Sequence, residues 1–271
     1  AEMGTFPLRS SHLYLHNSAV QVTEKVRFGS NARQYLLYFH PAEGISLRSK
    51  WVIFFHGGGW HLGRPAMFPH IIDFFAGNGY ALILPAYRLC PRYAFPDMLE
   101  DVQATLEATV ALMRRDAGSE RPLIIGGMSA GATLAAHLSF DAALWERAQC
   151  NQKLVHGFLS CGGPLDLEQM PDTFVVRRFA GGRAGSDAFR AANPFSLIEH
   201  QPDSIPTAFF IHGTNDRIVP YSSARSFYEQ YAQYAPAHWL GLKGGQHIDA
   251  IRWIDDDVAT GQRLEKWIEE S

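Results

Sequence analysis

The chain has 271 residues, of which 46% are hydrophobic, a length and composition that suit one α/β domain with a large core. A formal net charge of −3 without a basic cluster argues against nucleic-acid binding, and no apolar run reaches the roughly 18 residues of a membrane span. Cys90, Cys150 and Cys161 show neither a disulfide framework nor metal-ligand spacing. The N-terminal residues lack the apolar core of a signal peptide, so we predict a cytoplasmic protein.

Strands and helices alternate along the chain. Residues 19–28 and 33–39 have the β-branched and aromatic content of strands, with a hairpin turn between them at Gly29 and Asn31. The elements predicted after them are strand 51–60, helix 68–80, strand 81–85, helix 96–116, strand 122–126, helix 130–140, strand 153–161, strand 207–213, helix 222–234, strand 238–242 and helix 258–269. Continuously apolar strands that alternate with helices predict a mostly parallel sheet flanked by helices.

Residues 163–204 form a long irregular segment, rich in Gly, Asp, Arg and Pro. A segment of this length without clear periodicity is typical of a functional insertion. We therefore predict a single domain, residues 1–271, with a small lid or cap at 163–204. Phe174, Phe179 and Phe195 of this segment are candidates either for closing an apolar pocket or for ordinary core packing.

The stretch PLIIGGMSAGATLAAHL places a serine between glycines where a strand meets a helix. A phosphate-binding loop would need a lysine where Ala132 stands, and a dinucleotide-binding turn would need a glycine where Met128 or Ser129 stands. The G-x-S-x-G pattern of Gly127, Ser129 and Gly131 matches the strained turn that exposes a nucleophilic serine. Taken alone, the short pattern fits equally well a serine that only caps the helix.

Three other stretches favour the nucleophile. The sequence HGGGW, residues 56–60, follows a strand, and consecutive glycines are useful where backbone N–H groups must face a ligand without obstruction. Asp216 follows strand 207–213, and His247 follows the last strand. Ser129, Asp216 and His247 thus come in this order at the carboxyl ends of predicted strands, where open α/β sheets carry their sites.

Together these motifs resemble the α/β-hydrolase serine esterases, close to the hormone-sensitive-lipase-like carboxylesterases and the small bacterial-type esterases. The resemblance covers residues 51–269 and rests on HGGGW, AYRLCPRYAFPDMLEDV, GMSAG, GTNDRIVP and the late His247. One position departs from the pattern, because Met128 stands where the lipase-like branch usually has Asp. The resemblance implies an α/β-hydrolase fold and hydrolysis of short-chain carboxylic esters through an acyl-enzyme, without a metal or cofactor.

The resemblance also implies a role for each site residue. Ser129 would attack the ester carbonyl, His247 would transfer the proton, and Asp216 would orient the imidazole. The remaining assignments are Gly58, Gly59 and Ala130 for the backbone N–H groups of an oxyanion hole, and Trp60, His61 and Met128 for substrate binding.

Other carboxylates and histidines compete for these roles. Asp166, after strand 153–161, is the main alternative to Asp216, because some α/β hydrolases take their acid from that earlier strand. Asp249 and Asp255 follow the histidine too closely for the usual chain order. His212 is expected to make a structural hydrogen bond near the acid loop, and His56 to shape the glycine turn.

Two other functions share these motifs. An arylformamidase or related amide hydrolase uses the same triad and a similar glycine loop, and a non-catalytic binding module keeps the pocket but loses the catalytic histidine, which is present here as His247. The expected partner is a small-molecule ester; the oligomeric state stays open. Because the predicted cap is short and polar, we expect acetyl to hexanoyl esters to be preferred, with specificity falling for longer chains.

Overall fold

The computed structural model of the protein describes residues 23–41, 44–199, 205–256 and 258–271, and the side chains of residues 253–258 lie outside this description. In these ranges eight strands form a single sheet. The strands are Glu24–Arg27 (β1), Tyr35–Phe39 (β2), Trp51–Phe55 (β3), Ala81–Pro85 (β4), Leu123–Met128 (β5), Val155–Cys161 (β6), Thr207–Gly213 (β7) and Ala237–Leu242 (β8).

The order of the strands across the sheet is β1-β2-β4-β3-β5-β6-β7-β8. The hairpin of β1 and β2 pairs antiparallel at one edge, and all pairings from β4 to β8 are parallel. The carboxyl ends of β3, β5, β7 and β8 therefore meet along the same edge of the sheet. This edge holds the loops that the sequence motifs single out.

Helices cover both faces of the sheet. They are Pro69–Gly77 (α1), Phe95–Asp116 (α2), Ala130–Phe140 (α3), Ala142–Arg147 (α4), Phe174–Ala180 (α5), Asp187–Ala192 (α6), Tyr221–Tyr231 (α7), Asp249–Asp256 (α8) and Val258–Glu270 (α9). Apolar side chains of α2, α3 and α7 pack on one face, and those of α1, α8 and α9 pack on the other. Burial on both faces explains why β3, WVIFF, is apolar at every position.

The predicted α/β-hydrolase fold is confirmed, and so is the hairpin of β1 and β2 within the described residues. Residues 19–22 of its predicted first strand lie outside them. The strand predicted over 51–60 ends at Phe55, because the glycines after it turn the chain away from the sheet. The sequence analysis missed α4 and α8, each of which is eight residues or shorter.

The predicted insertion is more ordered than its composition suggests. Between residues 163 and 199 it contains α5 and α6, and residues 200–204 lie outside the described ranges. Each helix begins at a side-chain cap: Thr173 Oγ1 accepts a hydrogen bond from Val176 N at 3.3 Å, and Ser186 Oγ accepts one from Phe189 N at 3.2 Å. Helices of seven and six residues are too short to show a helical period in the sequence.

Candidate active site

Ser129 lies on a sharp turn between β5 and α3. Its backbone has φ 52°, a left-handed conformation that a non-glycine residue seldom adopts, and its N–H donates to Cys161 O at 2.8 Å. A Cβ atom at Gly131 would lie 2.3 Å from Phe55 O, and one at Gly127 would lie 2.4 Å from the carbonyl carbon of Gly131. The flanking glycines are therefore required by close packing against the neighbouring strand and helix.

His247 bridges Ser129 and Asp216. Its Nε2 lies 2.8 Å from Ser129 Oγ, and its Nδ1 lies 2.6 Å from Asp216 Oδ2. The carboxylate is fixed from its other side, because Asp216 Oδ1 accepts the N–H groups of Ile218 at 2.8 Å and Val219 at 2.9 Å. These contacts set the imidazole so that Nδ1 donates its proton to the carboxylate and Nε2 faces the serine hydroxyl.

The electrostatics of Asp216 favour its charged form. Burial alone would raise the pKa of this carboxyl group, but the hydrogen bonds from His247, Val219 and Ile218 outweigh burial and leave the pKa below its ordinary value. The side chain of Asp216 is fully buried, while that of His247 is 13% exposed. The acid is thus ionised and enclosed, while the histidine keeps some exposure.

The glycine loop after β3 lies against the serine. A Cβ atom at Gly57 would be 3.4 Å from Ser129 Cβ. The loop carbonyls point away and are occupied: Gly57 O accepts from His56 Nδ1 at 2.7 Å, and Gly58 O accepts from Leu62 N at 2.9 Å. Among the described residues, by contrast, the N–H groups of Gly58, Gly59 and Ala130 find no protein acceptor. Free N–H groups beside a serine hydroxyl are the feature that an oxyanion hole needs.

A cavity of about 240 Å³ opens beside Ser129. It is walled by the glycine loop, the insertion and the acid loop: Gly59, Trp60, His61, Ser129, Ala130, Pro164, Met170, Pro171, Thr173, Val175, Val176, Ile218 and Val219. Trp60 and His61 thus lie where the sequence analysis expects pocket residues. Met128 does not line the cavity; it is buried in the core on the far side of the turn, because successive side chains of a strand point to opposite faces.

The three phenylalanines of the insertion have different surroundings. Phe179 is buried and stacks on Trp60, with ring centroids 4.1 Å apart. Phe174 is 74% exposed at the start of α5, and Phe195 packs at the margin of the core. Phe179 therefore supports the cavity wall from behind, whereas the other two do not line the cavity.

The competing residues have other partners. Asp166 accepts hydrogen bonds from Glu168 N at 3.1 Å and from Ser226 Oγ at 3.0 Å, and His247 is not among its partners. Asp249 Oδ2 accepts from Gln246 N at the start of α8, while the side chain of Asp255 lies outside the description. The structure therefore brings Asp216, and not Asp166 or Asp249, to the imidazole.

Both buried histidines of the site make structural hydrogen bonds, as expected. His212 Nε2 donates to Val219 O at 3.1 Å and lies 3.5 Å from Asp216 Oδ2. Burial lowers the pKa of His212, and burial lowers that of His56 to about 3. Each is a neutral donor at ordinary pH.

Several wall residues were missed by the sequence analysis. Met170, Pro171, Val175 and Val176 come from the insertion, where no motif distinguishes wall from core. Ile218 lies two positions after Asp216, so the motif DRIVP could have indicated that this loop also lines the pocket. Among the described residues, no group of three His, Cys, Asp or Glu side chains is placed to hold a metal, and none of the helices has the length and apolar character needed to cross a bilayer.

One family model matches most of the chain. The family model BD-FAE matches residues 37–231, a range that includes Ser129 and Asp216. The chain belongs to the BD-FAE family. The family match ends before His247, so the residue that bridges the other two comes from outside the matched range.

Curated relatives are similar over most of the chain. A probable isoprenylcysteine alpha-carbonyl methylesterase of Oryza sativa is 23% identical over 95% of this chain and 63% of its own length. Esterase LipC of Mycobacterium tuberculosis is 24% identical over 82% of this chain and 59% of its own length. The chain thus spans about three fifths of the length of these relatives.

A solved structure has the same fold. The truncated form of a carbohydrate esterase from gut microbiota superposes with a TM-score of 0.77 at 18% identity, covering 93% of this chain and 96% of that one. At this level of identity the likeness shows the fold alone.

Proposed function

We propose that the protein is a serine carboxylesterase that hydrolyses uncharged, short-chain carboxylic esters. The observation that carries the proposal is the position of His247, which contacts Ser129 and Asp216 at 2.8 Å and 2.6 Å beside an open cavity. Esterases are also the named relatives of this chain, which supports the same reaction class.

The first half of the proposed reaction acylates the enzyme. His247 Nε2 takes the proton of Ser129 Oγ as this oxygen attacks the ester carbonyl carbon, and Asp216 stabilises the imidazolium that forms. The negative charge on the former carbonyl oxygen is held by the N–H groups of Gly58, Gly59 and Ala130, each such donor being worth about 3 kcal/mol of barrier. The imidazolium then protonates the leaving alcohol.

The second half releases the acid. Water gives a proton to His247 Nε2 and attacks the acyl carbon, and the same N–H groups hold the second oxyanion. The bond between the acyl carbon and Ser129 Oγ then breaks, and His247 returns the proton to Oγ, which restores the serine hydroxyl. In this scheme Asp216 stays ionised throughout, in keeping with a pKa below its ordinary value.

The cavity wall supports an uncharged substrate of modest size. Among its described lining residues none is Asp, Glu, Lys or Arg, and the insertion contributes the apolar Met170, Val175 and Val176. A charged acyl group would lose its hydration there without gaining a partner. The volume of about 240 Å³ is at the small end for ligand pockets, which agrees with acetyl to hexanoyl chains.

The test measures hydrolysis of p-nitrophenyl butyrate and of N-formylkynurenine by wild-type protein and by Ser129→Ala. We expect hydrolysis of the ester by the wild type only. Faster turnover of N-formylkynurenine would instead identify an amide hydrolase with the same triad. Binding of either compound without turnover would identify a non-catalytic module.

A further inference from the structure

Arg33 is a cation behind the glycine loop that has no carboxylate partner among the described residues. It lies in the turn between β1 and β2 and is half-buried. Its guanidinium donates from Nε to Tyr87 O at 2.8 Å and from Nη2 to Gly63 O at 2.8 Å, and Nη2 lies 3.4 Å from His56 Nε2. In the described ranges it forms no ion pair. The carboxylate of Asp101 is near enough to attract Arg33 but is itself bound by Arg88.

The contact with Arg33 suits the tautomer of His56 that carries its proton on Nδ1. Gly57 O can only accept, so the 2.7 Å contact places the proton of His56 on Nδ1. Nε2 is then a lone pair, and an arginine N–H is a donor that suits it. Tyr87 holds the same residue at two points, because it stacks on the imidazole at 4.3 Å and donates its hydroxyl proton to the backbone oxygen of His56 at 2.8 Å.

Fixing Gly57 O also fixes the direction of the Gly58 N–H. The two groups belong to one planar trans peptide, in which the carbonyl and the N–H point in opposite directions. When His56 holds Gly57 O on the inner side of the loop, the Gly58 N–H must point outward, to the side from which an oxyanion is held in the proposed reaction. A glycine pair gives the peptide no steric preference of its own, so the hydrogen bond is what sets it.

We propose that Arg33 is a positioning residue for the oxyanion hole, acting through His56 and the Gly57–Gly58 peptide. The inference rests on the proposed function, since it assigns the Gly58 N–H to the oxyanion. Arg33 also closes the far end of the loop by binding Gly63 O. The loop is thereby held at both ends by one side chain that touches no substrate.

The test compares Arg33→Met with Arg27→Met. Arg27 is a matched control, because it belongs to the same hairpin and binds the carbonyls of Gly29, Ser30 and Asn31 without touching the glycine loop. For Arg33→Met we expect kcat on p-nitrophenyl butyrate to fall by about tenfold, less than the loss of a direct oxyanion donor, with KM nearly unchanged. Arg27→Met should keep the wild-type kcat.

A second measurement separates positioning from general damage. A boronic acid forms a tetrahedral anion on the serine and needs the oxyanion hole, so its affinity should fall in Arg33→Met by the same factor as kcat. Unchanged kcat and KM, equal losses in the two arginine variants, or unchanged boronic acid affinity would each overturn the inference.

A third readout does not depend on esterase activity. In protein labelled with ¹⁵N-glycine, Arg33→Met should shift the Gly58 amide resonance, while Arg27→Met should not. If the wild type hydrolyses no ester, the proposed function fails, and this comparison still decides whether Arg33 holds the loop. Identical Gly58 resonances in the wild type and Arg33→Met would overturn it.

Discussion

The carboxyl edge of the sheet and the insertion at residues 163–199 build the site in different ways. At the sheet edge, close backbone contacts fix each group: Ser129 is held in a strained conformation, and Asp216 is bound by two N–H groups and an imidazole. The insertion instead supplies side chains, such as Val175 and Val176, that fill one wall. Under the proposed function, the sheet edge would set the chemistry and the insertion would set which substrate fits.

Removing the serine tests the sheet edge most directly. We expect Ser129→Ala to lower ester turnover by several orders of magnitude, as the loss of a triad member generally does. The fold should persist, because alanine is no larger than serine, and circular dichroism and thermal unfolding would check this. A variant that keeps more than about a tenth of wild-type turnover would exclude Ser129 as the nucleophile.

Replacing each carboxylate in turn tests which one acts as the acid beside His247. Asp216→Asn should lower kcat by about 10³- to 10⁴-fold, since the imidazole loses the partner that sets its tautomer. Asp166→Asn is the matched control, and its turnover should stay within about threefold of the wild type. If the two variants lose activity in the reverse order, Asp166 is the acid.

The buried histidines predict a loss of stability in acid. Burial lowers the pKa of His56 to about 3 and that of His137 to about 4, from an ordinary value of 6.5. Both stay neutral in the folded protein, whereas the unfolded chain binds protons below about pH 6.5. The free energy of unfolding that depends on these neutral histidines is therefore complete above that pH and is lost as the pH falls toward 4. At pH 5 the loss amounts to about 2 kcal/mol for each histidine.

Urea unfolding at pH 7 and pH 5 measures this effect. His137 joins the two regions, because its Nε2 donates to Ala192 O of the insertion at 3.2 Å. His137→Gln offers a donor that does not titrate, so the difference between the two pH values should be smaller in this variant. An equal difference in the variant and the wild type would show that His137 is not one of the groups responsible.

A substitution in the insertion should change selectivity and leave the chemistry intact. In the wild type we expect kcat/KM to be highest within acetyl to hexanoyl esters and to fall beyond them. Val175→Phe narrows the cavity and should lower kcat/KM for hexanoate several-fold relative to acetate, at about 0.8 kcal/mol for each methylene that is excluded.

Phe174→Ser is the neighbouring control, because Phe174 is 74% exposed and does not line the cavity. It should leave the acyl-chain profile unchanged. A wild-type profile that rises from hexanoate through decanoate would contradict the expected pocket size.

The fold and the loops of the site could be predicted from the sequence because their signals are local. An apolar strand such as β3 is recognised from adjacent residues, and Gly127, Ser129 and Gly131 lie within one turn. Chain order then pointed to Asp216 rather than Asp166, and the structure places Asp216 against His247. These inferences needed no knowledge of how distant segments pack.

The cavity wall and Arg33 could not be predicted, because their roles depend on tertiary packing. The contacts of Val175 and Val176 depend on how α5 packs beside the glycine loop, where Phe179 stacks on Trp60. Arg33 reaches the glycine loop only because β2 pairs beside β4. Met128, in contrast, was predicted to bind substrate and does not line the cavity. Its position next to Ser129 suggested a place in the pocket, but the alternation of side chains along β5 buries it on the other face.

The attachment of the insertion to α3 has a consequence for local unfolding. Two fully buried side chains of α3 hold the insertion near its two ends: Thr133 donates to Pro164 O at 3.0 Å, and His137 donates to Ala192 O. Segments that share buried hydrogen bonds tend to open together, as one cooperative unit. Amide hydrogen exchange should therefore report a common opening free energy for α3 and α6. We therefore expect the insertion to open only together with α3, so that the cavity wall stays in place while α3 is folded.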